Sequence, residues 1–230
     1  MNPKRVSVAT AMIALAGMMP VAQAAQPGFY IGAHYGQADK QMDIGPFNTY
    51  AATVVYPNPV VQLTVESMTA TLDTKDSGYG FFAGYRFNTH FAVEGGYVDL
   101  GNVTYRANLT GNIVGIPTTA VTNVDTESAG ITVSALGVWP LSYRWEVYGR
   151  AGALFSSNDF RLFYDDIEQN PRRDAFSEND VDLLAGVGTS FSFFEIYDVR
   201  LEYQRVFDSG DKTTGEADND IISLGITVVF

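Results

Sequence analysis

The sequence predicts an all-β fold, an eight-stranded antiparallel up-and-down transmembrane β-barrel with long extracellular loops and short periplasmic turns. Three observations predict it. Eight segments alternate apolar residues with a period of two, their charged residues share one face, and short connections alternate with long ones. Helix is not favoured, because 22 glycines, 13 tyrosines and 15 phenylalanines suit curved sheets with aromatic rims better than helices.

The predicted strands have one apolar face and one charged face. They lie at about residues 28–38, 77–88, 91–101, 129–140, 144–156, 181–192, 197–207 and 220–230. The apolar faces carry no charge, and in the last strand this face consists of Ile222, Leu224, Ile226, Val228 and Phe230. The opposite faces carry the ionisable residues, namely His34, Arg86, Glu94, Glu146, Arg150, Asp182, Arg200 and Glu202.

Glycines on the charged face decide which face points inward. A soluble sandwich or lipocalin-like barrel would pack its apolar face inside, whereas a membrane barrel turns that face to lipid. A solvated face seldom carries many glycines, because each one weakens a strand, but the narrow interior of an eight-stranded barrel has room for little else between large polar groups. The charged face carries Gly32, Gly36, Gly80, Gly84, Gly96, Gly152, Gly186 and Gly225. The membrane barrel is therefore favoured.

The ends of the strands and their connections support the same prediction. Phe87, Phe91, Trp139 and Trp145 lie at strand ends, where membrane barrels carry interfacial aromatic girdles. Connections of about three residues join the second strand to the third and the fourth to the fifth. The alternate connections are long, at about 38 residues (39–76), about 25 (102–128), a similar length (157–180) and about 12 (208–219).

Residues 1–24 predict a secretory signal peptide, which leaves residues 25–230 as one barrel domain. Lys4 and Arg5 precede an apolar stretch, and Ala22 and Ala24 form a small-residue cleavage site. The apolar stretch of about fourteen residues is too short to span a bilayer as a helix.

Composition argues against nucleic acid as a partner and excludes sites built from cysteine. The net charge of -12 argues against nucleic acid, because phosphate neutralisation needs clustered Lys and Arg. The chain has no cysteine, so disulfides and thiolate metal sites are unavailable. The acidic loops do not match the spacing of a calcium-binding loop, and we predict no cofactor and no metal.

Three stretches of the sequence resemble the transmembrane domain of the OmpA family. They are GYRFNTHFAVEGGYVDLG at Gly84–Gly101, WPLSYRWEVYGRAG at Trp139–Gly152 and RLEYQ at Arg200–Gln204. The resemblance covers all eight predicted strands and fails only in the loops. It implies a Gram-negative outer-membrane location, contact with outer-membrane lipids and lipopolysaccharide, and insertion by the barrel assembly machinery.

The resemblance also implies roles for particular residues. The last strand, with Leu224, Ile226, Val228 and the C-terminal Phe230, is implied to form the barrel-insertion signal. OmpA itself continues into a peptidoglycan-binding domain, whereas this sequence ends with its barrel, so cell-wall anchoring is not expected.

A charge network in the lumen is the main candidate site. In the family, an inward Glu on the third strand pairs with basic residues on the fourth and seventh strands; Glu94 and Arg200 match that Glu and the seventh-strand Arg. The fourth-strand Lys is replaced by Leu136, and a sixth-strand Glu by Gly188. Because isolated charges are costly in so narrow a space, we expect the inward charges to pair. The predicted network comprises Glu94, Arg200, Arg150, Glu202, Glu146, Arg86 and His34.

Three functions fit these features. One is a mainly structural role in the envelope, with surface-exposed loops. A second is a narrow porin-like channel for ions or small hydrophilic solutes. A third is an adhesin or phage-receptor-like protein, in which the long first loop projects as an extended β-hairpin and offers its edge to a surface ligand. An enzyme is not predicted, because no Ser-His-acid set is evident on one rim and His34 is interpreted as lumen filler.

Overall fold

The structure is a computed structural model that describes residues 27–42, 44–45, 47–49, 63–113, 116–165, 171–194, 196–209 and 217–230. The predicted signal peptide lies outside the described residues, so its cleavage stays a prediction. Among the described residues, no helix is long and apolar enough to cross a membrane.

The described residues form nine strands, of which eight close a barrel. The strands are β1 (Gly28–Lys40), β2 (Leu63–Asp73), β3 (Lys75–Asn88), β4 (Phe91–Ile113), β5 (Ile116–Pro140), β6 (Trp145–Asp165), β7 (Pro171–Phe193), β8 (Tyr197–Ser209) and β9 (Ala217–Val229). Neighbouring strands are antiparallel, and β9 pairs back with β1. This closure confirms the predicted eight-stranded barrel and leaves its spanning part without an open edge. The ninth strand, β2, pairs with the outer half of β4.

The stagger of the strands sets the width of the barrel. Following cross-strand partners once around it from Asp39 leads back to Phe29, ten residues earlier on β1. With a rise of ~3.3 Å per residue and a strand spacing of ~4.7 Å, this stagger tilts the strands by about 40°. An eight-stranded barrel of this kind is only wide enough to be filled by side chains.

The apolar faces point outward, as predicted. On β6, every outward side chain from Trp145 to Phe155 is apolar or glycine, and Phe155 is 50% exposed. The next outward residues, Ser157 and Asp159, are polar. This apolar belt matches the ~9–11 residues with which a tilted strand crosses a bilayer. The spanning part of the barrel therefore ends near Phe155 on this strand.

Two long predicted loops are instead continuations of the strands. β4 and β5 stay paired as far as Ile113 and Ile116. β6 and β7 stay paired as far as Asp165 and Pro171. The prediction ended the third strand near Gly101, where φ is +74° and a bulge interrupts the ladder between Asp99 and Asn102. Such a bulge adds a residue to one strand and so reverses the face on which later side chains fall.

β2 belongs to the stretch predicted to form the hairpin of the first loop, and it pairs with β4, across positions such as Met68 opposite Leu109. One edge of residues 63–73 is therefore attached to the barrel wall. The predicted partner of the other edge lies mostly in residues 50–62, so the hairpin stays a prediction. Residues 50–62 lie outside the described part of the chain.

The extended strands build an apolar core of their own beyond the membrane belt. We call β2 and residues 102–113, 116–128, 157–165 and 171–180 the outer sheet. Its inner face is buried in one cluster of Tyr105, Ala107, Leu109, Ala120, Val124 and Leu162. Residues 44–45 and 47–49 are helical and pack on this cluster. There Phe47 stacks on Tyr105 with ring centroids 5.3 Å apart, and the Tyr105 hydroxyl donates to Asn48 Oδ1 at 2.8 Å.

Candidate functional site

Glu94 is the residue around which the buried charges of the lumen gather. It lies on β4, faces inward and is only 4% exposed. Its Oε1 accepts hydrogen bonds from Arg200 Nη1 at 2.5 Å and from the Tyr30 hydroxyl at 2.9 Å. Its Oε2 is paired with Arg150 Nη2. One carboxylate therefore binds two guanidinium groups at the same time, one on each oxygen.

A second carboxylate completes the network. Glu202 lies on β8, and its Oε1 is 3.3 Å from Arg150 Nη1. Its Oε2 accepts a hydrogen bond of 2.7 Å from the Tyr148 hydroxyl. Arg150 Nη1 also donates to Gln204 Oε1 at 3.3 Å. We call Glu94, Arg150, Arg200 and Glu202 the charge network. Its two negative and two positive charges balance, which reduces the cost of burying them together.

Aromatic rings surround the Arg200 guanidinium. The ring centroids of Tyr30, Phe82 and Tyr148 lie 5.2, 5.1 and 5.2 Å from Arg200 Cζ. Cation–π attraction therefore adds to the ion pair with Glu94. These three rings are not among the predicted site residues, although strand alternation places them on the charged faces.

The other predicted lumen residues lie outside this network. Arg86 and Glu146 form a separate ion pair at 2.7 Å near the short turns, with both side chains largely buried. His34 stacks on Phe82 with centroids 6.0 Å apart. Four of the seven predicted residues thus meet in one cluster, two form a pair, and one contacts an aromatic ring.

An apolar layer lies next to the charge network, toward the outer sheet. The apolar layer, as we call it, is one buried cluster of seven residues. They are Ala38, Val98, Leu100, Leu154, Leu184, Val206 and Ile221. Leu154 and Val206 are fully buried, at 0% exposure. This layer was not predicted, because the inward faces were recognised by their charges and glycines. Its apolar side chains share those faces near the outer ends of the strands.

An upper polar layer lies beyond the apolar layer. Lys40 ends β1 outside its membrane-spanning part and is buried; its Nζ donates to Ser128 Oγ at 2.7 Å. Ser128 Oγ donates to Asn158 Oδ1 at 2.6 Å, and Asn158 Nδ2 lies 3.4 Å from Asp180 Oδ2. Burial lowers the pKa of Lys40 to about 8, although the carboxylates of Asp182 and Asp180 act in the opposite direction. The layer links β1, β5, β6 and β7 across the mouth of the barrel.

Three small cavities lie among these layers of the lumen. One of about 20 Å³ lies beside Arg86, Glu146 and Arg200. Two of about 10 Å³ lie beside Arg150 and beside Lys40. A water molecule needs ~10–15 Å³, so each of these spaces holds about one water. Within the described residues, no group of three or more His, Asp or Glu is placed to hold a metal ion.

The predicted interface and insertion residues lie on the barrel surface. Phe87, Phe91, Trp139 and Trp145 are exposed on the outside near the short turns, and the Phe87 and Phe91 rings are 5.7 Å apart. On β9, Leu224 and Ile226 are exposed outward, whereas Val228 and Phe230 are half-buried. The Phe230 amide donates to the Phe29 carbonyl at 2.9 Å, next to the β1–β9 seam.

Comparison with known proteins identifies relatives over most of the chain. Outer membrane protein A of Serratia marcescens is 29% identical over 99% of this chain and 56% of its own length. Outer membrane protein A of Shigella flexneri is 27% identical over 99% of this chain and 56% of its own length. The chain therefore spans about half the length of the curated relatives it matches.

Solved outer-membrane barrels are similar in shape. Ail, the attachment invasion locus protein of Yersinia pestis, matches with 15% identity and a TM-score of 0.48, over 89% of this chain and 100% of that chain. Neisserial surface protein A matches with 16% identity and a TM-score of 0.46, over 88% of this chain and 97% of that chain.

The sequence-family model described as the OmpA-like transmembrane domain matches residues 24–230 of this chain. Because this match extends over nearly the whole sequence, the chain belongs to the OmpA-like transmembrane domain family and is an integral β-barrel protein of the outer membrane.

Proposed function

We propose that the protein is a closed structural barrel, which does not conduct solutes and which holds the outer sheet rigidly at the cell surface. The observation that carries this proposal is the succession of two different barriers in the lumen, the charge network and the apolar layer. A structural role, rather than an enzymatic one, agrees with its relatives, which are outer membrane protein A.

The charge network is a strong barrier because every member is held by another. Opening a path beside Glu94 requires separating it from Arg150 or Arg200 in a buried space. Removing one partner of a buried ion pair costs about 3–5 kcal/mol. Glu94 binds the guanidinium groups of Arg150 and Arg200 at the same time. A switch of Glu94 from one arginine to the other would therefore open no path through the lumen.

The apolar layer is a barrier of a different kind. An ion that crosses it must give up much of its hydration among aliphatic side chains, which is costly. Hydrophobic constrictions close channels on this principle. The two barriers are consecutive along the lumen, and either one is sufficient to prevent conduction.

Conductance in planar bilayers tests the proposal. The wild-type barrel and the single variants Glu94→Ala and Leu154→Ala are expected to give no steady steps, because one barrier remains in each. The double variant, which weakens both barriers, is expected to give small, reproducible steps. Glu94→Ala combined with Leu183→Ala, which removes a lipid-facing leucine beside the layer instead of Leu154, is the matched control and should stay silent. Steady, reproducible steps from the wild-type barrel contradict a closed lumen.

We also propose that the last strand carries the signal for insertion by the barrel assembly machinery. Leu224 and Ile226 alternate outward on β9, which forms the closing seam with β1. Phe230→Ala, with Leu224→Ala in the same strand, should lower the yield of folded barrel in cells but leave refolding in detergent unchanged. Leu201→Ala, which is equally lipid-facing on β8, is the control. Equal yields in all variants argue against a signal in this strand.

A second candidate function is binding of a surface ligand by the outer sheet. The observation that favours it is the separate apolar core of the sheet, which gives the extended strands a fixed shape beyond the membrane. Replacing residues 105–124 by a two-residue Asn-Gly turn should remove adhesion of expressing cells to a host-cell layer while the barrel still folds. Unchanged adhesion would exclude this part of the sheet as the binding surface.

A further inference from the structure

The cavity of about 20 Å³ on the short-turn side of the lumen is lined by a carboxylate that the charge network does not use. Asp198 is the second residue of β8, faces inward and is 8% exposed. It lines this cavity together with Arg86, Glu146 and Arg200. Among the described residues, its side chain makes no hydrogen bond and no ion pair. An isolated buried carboxylate is very costly, so Asp198 needs a partner that the described side chains do not supply.

Hydroxyl groups on both neighbouring strands lie beside this carboxylate. Thr227 on β9 is a direct cross-strand partner of Asp198 and lines the same cavity. It is 1% exposed, and its Oγ1 has no hydrogen-bond partner within the described part of the chain. Ser192 on β7 is the partner of Asp198 on the other side and is also buried. Directly opposite residues have Cβ atoms ~4.5–5.5 Å apart, so three oxygen-bearing side chains lie side by side.

The fixed charges of this part of the lumen leave one negative charge in excess. On the short-turn side of the apolar layer, the described inward side chains include three arginines and four carboxylates. They are Arg86, Arg150 and Arg200, and Glu94, Glu146, Asp198 and Glu202. Each arginine is already paired with a glutamate. The excess charge is therefore that of Asp198, and one positive charge would balance it.

The size and chemistry of the cavity favour a small monovalent cation. The cavity has room for about one water molecule, and a bare sodium or potassium ion is no larger than this. Carboxylate and hydroxyl oxygens are ligands that hard cations prefer. A divalent ion would exceed the single uncompensated charge, because Glu146 already binds Arg86 and the hydroxyls of Thr227 and Ser192 are neutral.

We propose that one monovalent cation, Na⁺ or K⁺, binds between the Asp198 carboxylate and the Thr227 hydroxyl. Ser192 and water complete its ligands. The ion supplies the positive partner of Asp198 and links β7, β8 and β9 near the short turns. The site does not depend on whether the lumen conducts, so the conductance experiment and the cation experiment can fail independently.

Urea unfolding of the folded barrel in non-ionic detergent micelles tests the site. The probes are the chlorides of Na⁺, K⁺ and the much larger N-methylglucamine cation, compared at equal concentrations. An ion that binds one site of the folded barrel lowers the unfolding equilibrium constant about tenfold for each tenfold rise in its concentration above the dissociation constant. The wild-type barrel should show this dependence with Na⁺ or K⁺, relative to N-methylglucamine. Equal profiles in the three salts overturn the site, since water would then be sufficient for Asp198. A stronger effect of Mg²⁺ at equal ionic strength overturns the choice of a monovalent ion.

Two lumen variants test the assigned ligands. Asp198→Asn removes the charge but keeps the shape, so the dependence on Na⁺ or K⁺ should disappear. In N-methylglucamine chloride this variant should unfold at a higher urea concentration than the wild type, because it no longer buries an unpaired charge. Thr227→Val removes one ligand and should raise the cation concentration required by about tenfold. Wild-type cation dependence in Asp198→Asn overturns the site.

A matched control separates the site from a general effect of surface charge. Asp159→Asn makes the same chemical change at an exposed aspartate of the outer sheet and should keep the wild-type cation dependence. Loss of the dependence in this variant as well would assign the effect to surface charge and overturn the site. Rb⁺ resembles K⁺ and scatters X-rays anomalously, so crystals of the wild-type barrel grown in rubidium chloride give a readout that needs no variant to fold. An anomalous peak beside Asp198 is expected, and the absence of a peak there overturns the proposal.

Discussion

Arg200 Nη1 lies 2.5 Å from Glu94 Oε1, although the two residues are 106 positions apart in the chain and sit on strands that are not neighbours in the barrel. The bond crosses the lumen from β8 to β4. A lumen-crossing ion pair resists both unfolding and opening, because separating its members leaves a buried charge without a partner.

The Glu94–Arg200 pair should show strong non-additivity in a double-mutant cycle. Glu94→Gln or Arg200→Gln alone should each reduce the free energy of unfolding by about 3–5 kcal/mol, because each leaves buried charges unbalanced. The double variant removes one charge of each sign, so it should lose clearly less than the sum of the two. Urea unfolding in detergent micelles, followed by tryptophan fluorescence, measures the three values.

An exposed ion pair of the same protein is the control for this cycle. Arg161 binds Glu127 through two bonds, but both side chains are about half exposed. Surface pairs of this kind contribute about 0–1 kcal/mol. The corresponding Gln variants should therefore change unfolding very little. Additive losses at Glu94 and Arg200 would show that the two residues act independently.

Strand alternation predicted the barrel because its rule is local. Every second residue faces lipid, and residues such as Leu224 and Ile226 show this directly. The rule failed at Gly101, where the bulge reverses the alternation: before it the inward residues of β4 are even-numbered, such as Glu94, and after it they are odd-numbered, such as Tyr105. The prediction therefore ended the strand where the structure only changes its register.

The second basic partner of Glu94, Arg150, could not be assigned from the sequence alone, because its position depends on how neighbouring strands align. The family pattern places a Lys where this chain has Leu136. In the structure Arg150 is the direct cross-strand partner of Leu136, so the guanidinium reaches Glu94 from the adjacent strand. Period-two patterns assign a face to each side chain, but they do not align one strand with the next.

Lys40 should make the stability of the barrel depend on pH above neutrality. Its pKa is about 8 in the folded protein and near 10.5 when unfolded, because burial disfavours the charged form. Between these values the unfolded chain holds more protons, so the free energy of unfolding should rise with pH. From pH 8 to 9.5 the expected gain is about 2 kcal/mol.

Comparison with Lys40→Met isolates this contribution from other titrating groups. The variant has no proton to exchange at this position, so its unfolding free energy should lack the gain. Urea unfolding at pH 7, 8 and 9.5 measures both proteins, and the difference between their profiles is the quantity of interest. Parallel profiles would mean that Lys40 exchanges its proton equally in the folded and unfolded states.

Leu154 should contribute more to stability than its lipid-facing neighbour. It is 0% exposed in the centre of the apolar layer, where Leu→Ala substitutions typically cost about 2–5 kcal/mol through lost contacts and a residual cavity. Leu183 is 70% exposed to the membrane, where lipid replaces the lost side chain. Urea unfolding of Leu154→Ala and Leu183→Ala should therefore separate clearly. Equal losses would show that the layer is not packed.

Gly152 should tolerate no side chain, in contrast to an outward glycine on the same barrel. A Cβ atom at Gly152 would lie 2.2 Å from the Val133 carbonyl oxygen and 2.8 Å from Ser134 Cα, so backbone atoms of β5 would have to move. We expect Gly152→Ala to destabilise the barrel by about 1–3 kcal/mol, as forced overpacking does. At Gly95 the nearest atom to a new Cβ is 3.8 Å away, and Gly95→Ala should be neutral or slightly stabilising. Urea unfolding of both variants measures the contrast. If Gly152→Ala unfolds at the same urea concentration as the wild type, β6 can shift against β5, and close approach of these strands is not what requires glycine there.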